Sequence, residues 1–139
     1  MKIDYSSFEK ALDQLRKSLG FLNSPAAAKD PALREQFRAA TIQAFEYSSE
    51  LTVKMIRRPL AEIGATPSDL AQPTFADLIR SAADARLLKD VKGFLVYRDA
   101  RNRTSHAYDQ ETADEVIAVI PDFLRDASFM LSELRERNS

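Results

Sequence analysis

Between Phe8 and Leu22 the apolar residues return at intervals of four, three, four and three: Phe8, Leu12, Leu15, Leu19 and Leu22. An α-helix, with about 3.6 residues per turn, places residues so spaced on one stripe. The pattern recurs along the chain. Asp30-Pro31 reads as an N-cap followed by proline in the first helical position. From there towards Arg57, Leu33, Phe37, Ala40, Ala44, Leu51 and Met55 form one stripe, and Ile42, Phe45, Val53 and Ile56 a neighbouring one. A helix apolar on two faces belongs at the centre of a bundle. Pro59 is expected to bend or end it.

Five helices are placed in this way. The first covers Tyr5 to Leu22, with Ser6 and Glu9 at capping-box spacing, and Asn23-Ser24-Pro25 breaks it. Thr66-Pro67-Ser68-Asp69 signals a short helical start. Thr74 and Asp77 signal another, leading into a helix near Phe75 to Ala83. The fourth is read from Leu87 to Ser105. Thr112 and Glu115 box the fifth, which carries Val116, Ile120, Phe123, Leu124, Ala127, Leu131 and Leu134, with a kink expected at Pro121. Only 3 glycines occur in 139 residues, which leaves little room for hairpins. The expected fold is an all-α, antiparallel up-and-down bundle of four to five helices, one domain over 1–139.

The same composition narrows function. No cysteine is present, which excludes a disulfide framework or a thiolate metal site and fits a reducing cytoplasm. With one histidine, neither a metal nor another cofactor is expected. No apolar run approaches membrane-spanning length and no signal core opens the chain, so neither export nor a membrane is expected. Net charge is −1, so no global field draws nucleic acid. Six cations nevertheless cluster from Arg86 to Arg103 (Arg86, Lys89, Lys92, Arg98, Arg101, Arg103) against Asp90 and Asp99. That is either a local anion-binding patch or a solvated helix face.

The lone histidine, His106, lies in Arg98–Asp109, RDARNRTSHAYD. On a wheel of about 100° per residue with Arg101 at zero, Tyr108 falls near −20°, Ser105 near 40°, Arg98 near 60°, Asn102 near 100° and His106 near 140°. Leu87, Leu88, Val91, Phe94 and Leu95 share that arc, while Asp99, Ala100 and Arg103 lie opposite. Polar groups in line with a core stripe must be hydrogen-bonded, meet another subunit or line a cleft. Guanidinium grips phosphate, and imidazole moves protons near neutral pH. Facing a ribose-phosphate backbone, His106 could take a proton from a 2′-hydroxyl or give one to a leaving 5′-oxygen, while Arg101 stabilises the phosphoryl charge. Asn102 could orient the imidazole or contact phosphate. A histidine capping a helix C-terminus and a tyrosine packed as an ordinary aromatic fit the same spacing, which does not choose between these readings.

The order Arg101-Asn102-Arg103-Thr104-Ser105-His106, followed by Ala107-Tyr108, resembles the RX4HXY motif of the HEPN superfamily, in its HepT-like branch, also called nucleotidyltransferase substrate-binding proteins. The strings RNRTSHAYDQETADEV and IQAFEYSSEL are similar to that branch, and the resemblance runs from the first helix to the fifth. It implies a small helical bundle that forms a homodimer, with two motifs facing across a cleft. It also implies a metal-independent ribonuclease toxin with RNA as substrate. Its antitoxin would be a cognate minimal nucleotidyltransferase (MNT-type) that attaches AMP to the motif tyrosine. On that basis Arg101 and His106 are the catalytic residues, Asn102, Ser105 and Arg98 support them, and Tyr108 accepts AMPylation. Glu46, beside Tyr47 in the central helix, could pair with a motif arginine or be simply structural. The older family name implies an alternative, a non-catalytic subunit that presents substrate to a nucleotidyltransferase. A purely structural partner is the third class.

Overall fold

A computed structural model describes residues 3–62 and 74–138. Six α-helices are formed there: α1 Ser6–Leu22, α2 Pro25–Lys29, α3 Pro31–Glu62, α4 Phe75–Asp84, α5 Val91–Asn102 and α6 Gln110–Asn138, with a 3-10 turn at Thr104–His106 before α6. No strand occurs among the described residues. The fold is the expected all-α bundle. α3 packs against each of the other five helices, the central position that its two apolar faces require. The Thr66–Asp69 start lies outside the described residues.

The sixth helix is α2, one short turn that follows the Asn23-Ser24-Pro25 break. The Ser24 hydroxyl accepts the Ala27 N–H at 3.3 Å, and Pro25 takes the position where its missing donor costs nothing. Asp30 restarts the chain in the same manner, its carboxylate accepting the N–H groups of Ala32 (3.1 Å) and Leu33 (3.2 Å). Thr74 caps α4 through the Asp77 N–H at 3.1 Å. Two expected capping boxes are not formed. Ser6 is already helical and donates its N–H to Asp4, while Glu9 pairs with Arg135 of α6. At α6 the cap is Asp109, which accepts from the N–H and hydroxyl of Thr112; Glu115 turns to Arg103 instead.

Neither internal proline ends its helix. α3 continues through Pro59 to Glu62, with Ile56 and Leu60 buried on either side, and α6 continues through Pro121 between buried Ile120 and Phe123. Burial of those neighbours offsets the lost backbone bond, a defect of about 3 kcal/mol.

α5 is shorter than the Leu87–Ser105 span read from sequence. Leu87 and Leu88 are buried in the connection after α4, and Asp90 starts α5 by accepting the Gly93 N–H at 3.0 Å. Gly93 permits that cap: a Cβ there would stand 2.8 Å from the Asp90 carboxylate and 3.4 Å from the Tyr97 hydroxyl. The buried face of α5 is Phe94, Tyr97 and Ala100. Rings continue it into the core, Phe94 edge-on to Tyr97 (5.2 Å), Tyr97 to Phe123 (5.6 Å) and Phe123 to Phe45 (5.2 Å). The buried Ser48 and Thr52 hydroxyls find backbone partners, on Ala11 and Ser48, as burial demands, whereas the buried Ser49 hydroxyl has none among the described residues.

Candidate functional site

The observed face of α5 shifts the wheel. Ala100 is fully buried and Tyr97 nearly so, whereas Leu95 and Val96 are exposed. The core stripe is therefore centred near −40° from Arg101, about a quarter-turn from the arc inferred above. Arg98 and Asn102 fall on the solvent side. Arg101 borders the buried stripe directly, one turn after Tyr97, and its side chain is only 25% exposed.

α5 ends at Asn102, so the expected six-residue arc does not form on one helix. His106 and Tyr108 stand in the connection to α6, which backbone bonds hold: His106 N–H to the Arg103 carbonyl (3.0 Å), Ala107 N–H to Thr104 (3.2 Å) and Asp109 N–H to His106 (3.1 Å). This pinned turn carries the imidazole and the phenol outwards. Both are exposed, Tyr108 at 86%, with ring centroids 6.3 Å apart. Among the described residues the imidazole makes no hydrogen bond, so it caps no carbonyl of α5, whose end is closed by the Arg103 N–H. Neither does Asn102 hold the imidazole within one chain. Ser105 is exposed beside it.

Arg101 is met from α3. Its guanidinium pairs with Glu50 and lies 3.7 Å from Glu46. The Thr104 hydroxyl stands 2.6 Å from the Glu46 carboxylate and 2.8 Å from the Arg101 carbonyl. Glu46 thus joins α3, the end of α5 and the 3-10 turn. The pairing that its sequence position allowed is realised, while Glu50 and Thr104 were not foreseen. Their signal was available: Glu46 and Glu50 are one turn apart on α3, and such residues share a face. The Arg101 Nε is buried without a hydrogen-bond partner, so the acids do not satisfy the guanidinium completely.

The cationic cluster is largely countered. Arg103 binds Glu115 and Asp99 (3.3 Å). Lys89 lies over the Phe129 ring (4.5 Å), and Arg98 lies over Phe75 (5.1 Å). Arg98 and Arg101 both line a crevice between α3, α4 and α5 to which Ser49 and Val53 also contribute. On the other side of Glu46 a second groove runs between α3 and the turn carrying Thr104 and Tyr108. Arg101 lines the first and Glu46 the second.

Tyr97 anchors this corner from below. Its hydroxyl donates to Asp126 of α6. Burial first, then the Asp126 bond and charge, push the phenol well above its ordinary value near 10. The folded state therefore keeps a proton that the unfolded chain gives up. The resulting stability is intact below about pH 10 and is lost as pH rises towards the folded value. In urea titrations, Tyr97→Phe should cost about 1–2 kcal/mol at pH 7 and shallow the alkaline fall in stability. Equal alkaline slopes in the two proteins would refute this assignment.

With this geometry in place, comparison with known proteins identifies relatives. Residues 3–136 match the family model described as nucleotidyltransferase substrate binding protein like. A Haemophilus influenzae protein named Probable ribonuclease HepT is 37% identical over 134 residues, covering 96% of this chain and 88% of that one. A solved Haemophilus influenzae structure, described as the fold of a substrate binding domain of a nucleotidyltransferase, superposes with a TM-score of 0.89 at 33% identity, over 95% of this chain and 99% of that one.

Proposed function

The chain belongs to the HepT-like family of nucleotidyltransferase substrate-binding proteins, and on that premise we propose that it is a metal-independent endoribonuclease toxin restrained by a cognate MNT-type nucleotidyltransferase. One observation carries the reading: Arg101 lines a narrow crevice at the end of α5 while the following turn, beside a second groove, holds an exposed imidazole and an exposed phenol. His106 takes the proton from a ribose 2′-hydroxyl, whose oxygen attacks phosphorus. Arg101 stabilises the phosphoryl oxygens as charge builds there. The departing 5′-oxygen takes its proton from an acid, a role that falls to the second subunit's motif if the site is shared. Homodimerisation is supported by exposed Leu95 (38%) and Val96 (52%), which share the solvent side of α5 with Arg98 and Asn102. For phosphate to bind, Glu50 must give way. It is 55% exposed, and pairs so placed contribute about 0–1 kcal/mol, less than a bidentate arginine–phosphate contact.

A second reading makes the chain a non-catalytic subunit that presents substrate to the nucleotidyltransferase. The family description supports it, as does a motif arginine already engaged by two carboxylates. Expression without any partner separates the two. Growth arrest with loss of total RNA supports the nuclease, and intact RNA with good soluble expression favours the presenting subunit. Such a nuclease would work in the cytoplasm, on cellular RNA.

The exposed Tyr108 hydroxyl is the proposed AMPylation site. A phosphodiester there brings a negative charge and a bulky nucleoside to the mouth of the cleft. Tyr108→Phe is expected to stay toxic when the nucleotidyltransferase is co-expressed, with no mass increase by mass spectrometry. Full neutralisation of that variant would mean that restraint needs binding only.

A further inference from the structure

The groove beside Tyr108 extends well beyond the reacting groups. It encloses about 470 Å³, within the range of about 300–1,000 Å³ usual for small-ligand sites. α3 contributes Arg38, Ala39, Ile42 and Gln43, and the opposite wall includes Ala107 and Tyr108. Ala39, Ile42 and Ala107 form an apolar floor, Tyr108 adds a ring, and Gln43 adds an amide that both donates and accepts. The Arg38 side chain is only 13% exposed, and its one partner among the described residues is an exposed Glu35 at 3.5 Å. Arg38 also borders an adjoining hollow with Arg34, one turn away and about 6 Å along the helix. The two arginines therefore continue the line that leads from Arg101 past Glu46.

We infer that this groove is a nucleotide subsite for the RNA strand beside the cleaved bond, an assignment that rests on the ribonuclease reading above. The base packs on Ile42 and Ala39 against the Tyr108 ring, the mode by which unstacked RNA bases are held. Gln43 bonds a base edge, Arg38 takes the phosphate, and Arg34 takes the next one along the strand. The carboxylates stand at the two ends of the groove, Glu46 near Arg101 and Glu35 beside Arg38, so the anionic groups of the strand fall to the arginines. A nucleotide joined to Tyr108 has the same chemistry and is the competing source.

The test titrates the labelled full chain with 5′-AMP and with 5′-UMP while following backbone amides by NMR. Shifts should centre on Ile42, Gln43 and Thr104 to Tyr108. Ala39→Trp fills the groove from an exposed helical position, so it leaves the core intact. It should weaken binding at least about tenfold, and Arg38→Gln should weaken it about tenfold. If Arg38→Gln does not fold, Ala39→Trp carries the test alone. Absent shifts at millimolar nucleotide, shifts elsewhere, or unchanged binding in Ala39→Trp overturn the subsite. RNA kinetics then identify the source. A rise of about tenfold in KM for Ala39→Trp, with kcat within about twofold, places a strand nucleotide in the groove. Unchanged KM with lost mononucleotide binding overturns the strand assignment in favour of the tyrosine-linked nucleotide. Groove-specific binding by a wild-type protein that cleaves no RNA would keep the subsite and remove the ribonuclease reading.

Discussion

Purified His106→Ala protein is expected to cleave RNA about 10²- to 10⁴-fold more slowly than wild type, the usual contribution of a positioned acid–base group. Folding should be untouched. The imidazole is exposed and makes no hydrogen bond among the described residues, and the turn that carries it is held by backbone bonds that alanine also makes. Such surface substitutions stay within about 0.5 kcal/mol, so equal circular dichroism and equal urea midpoints should accompany the lost activity. RNA affinity should fall only a few-fold, since the phosphate contacts belong to arginines. His106→Gln distinguishes proton transfer from hydrogen bonding: glutamine can donate and accept but cannot relay a proton at neutral pH. Its rate should match that of the alanine variant. Recovery by glutamine would recast His106 as a binding residue, and full activity in both variants would remove it from the chemistry.

Apart from the five-residue α2, the helices of the described residues were legible because a helix depends on local periodicity. Asp30 and Thr74 were readable as caps for the same reason, since a cap bonds only two or three residues away. Three features decided at longer range were not legible. Glu9 has capping-box spacing, yet its partner is Arg135, far along the chain in α6. Arg101 and Arg103 read as part of a basic patch with Glu46 as one possible partner, but the further counter-charges, Glu50 on α3 for Arg101 and Glu115 on α6 for Arg103, come from elsewhere in the bundle. The phase of α5 was misjudged because Leu95 was counted as core while Tyr97 and Ala100 were left out of the stripe. Tyr97 conceals its core role behind a polar tip that reaches Asp126, and alanine adds little to a hydrophobic pattern. Arg101 lines one crevice and Tyr108 a separate groove, and the end of α5 separates Arg101 from His106.

Phe123→Ala is expected to lower stability by about 3–5 kcal/mol, the cost of deleting a buried ring whose cavity cannot fully collapse. For a chain of this length, that corresponds to a melting temperature lower by roughly 10–20 °C. Phe123 is 1% exposed. Its ring meets Phe45 of α3 at 5.2 Å and Tyr97 of α5 at 5.6 Å, both edge-on, so one truncation removes contacts that join three helices. Edge-to-face pairs contribute about 0.5–1.5 kcal/mol beyond area burial, which puts this site at the upper end of phenylalanine truncations. The control lies on the same bundle: Leu95→Ala, on the solvent side of α5, should cost under about 1 kcal/mol in the monomer. Domains are commonly stable by about 5–15 kcal/mol, so the Phe123 variant should remain folded at 25 °C. Its cleavage rate there tests whether the core positions the site. Tyr97, one turn before Arg101, loses a packing neighbour in this variant but keeps Asp126. A rate lowered beyond the unfolded fraction would show that the guanidinium depends on the ring cluster beneath it. A loss of stability under about 1 kcal/mol would mean that the three helices are held together elsewhere.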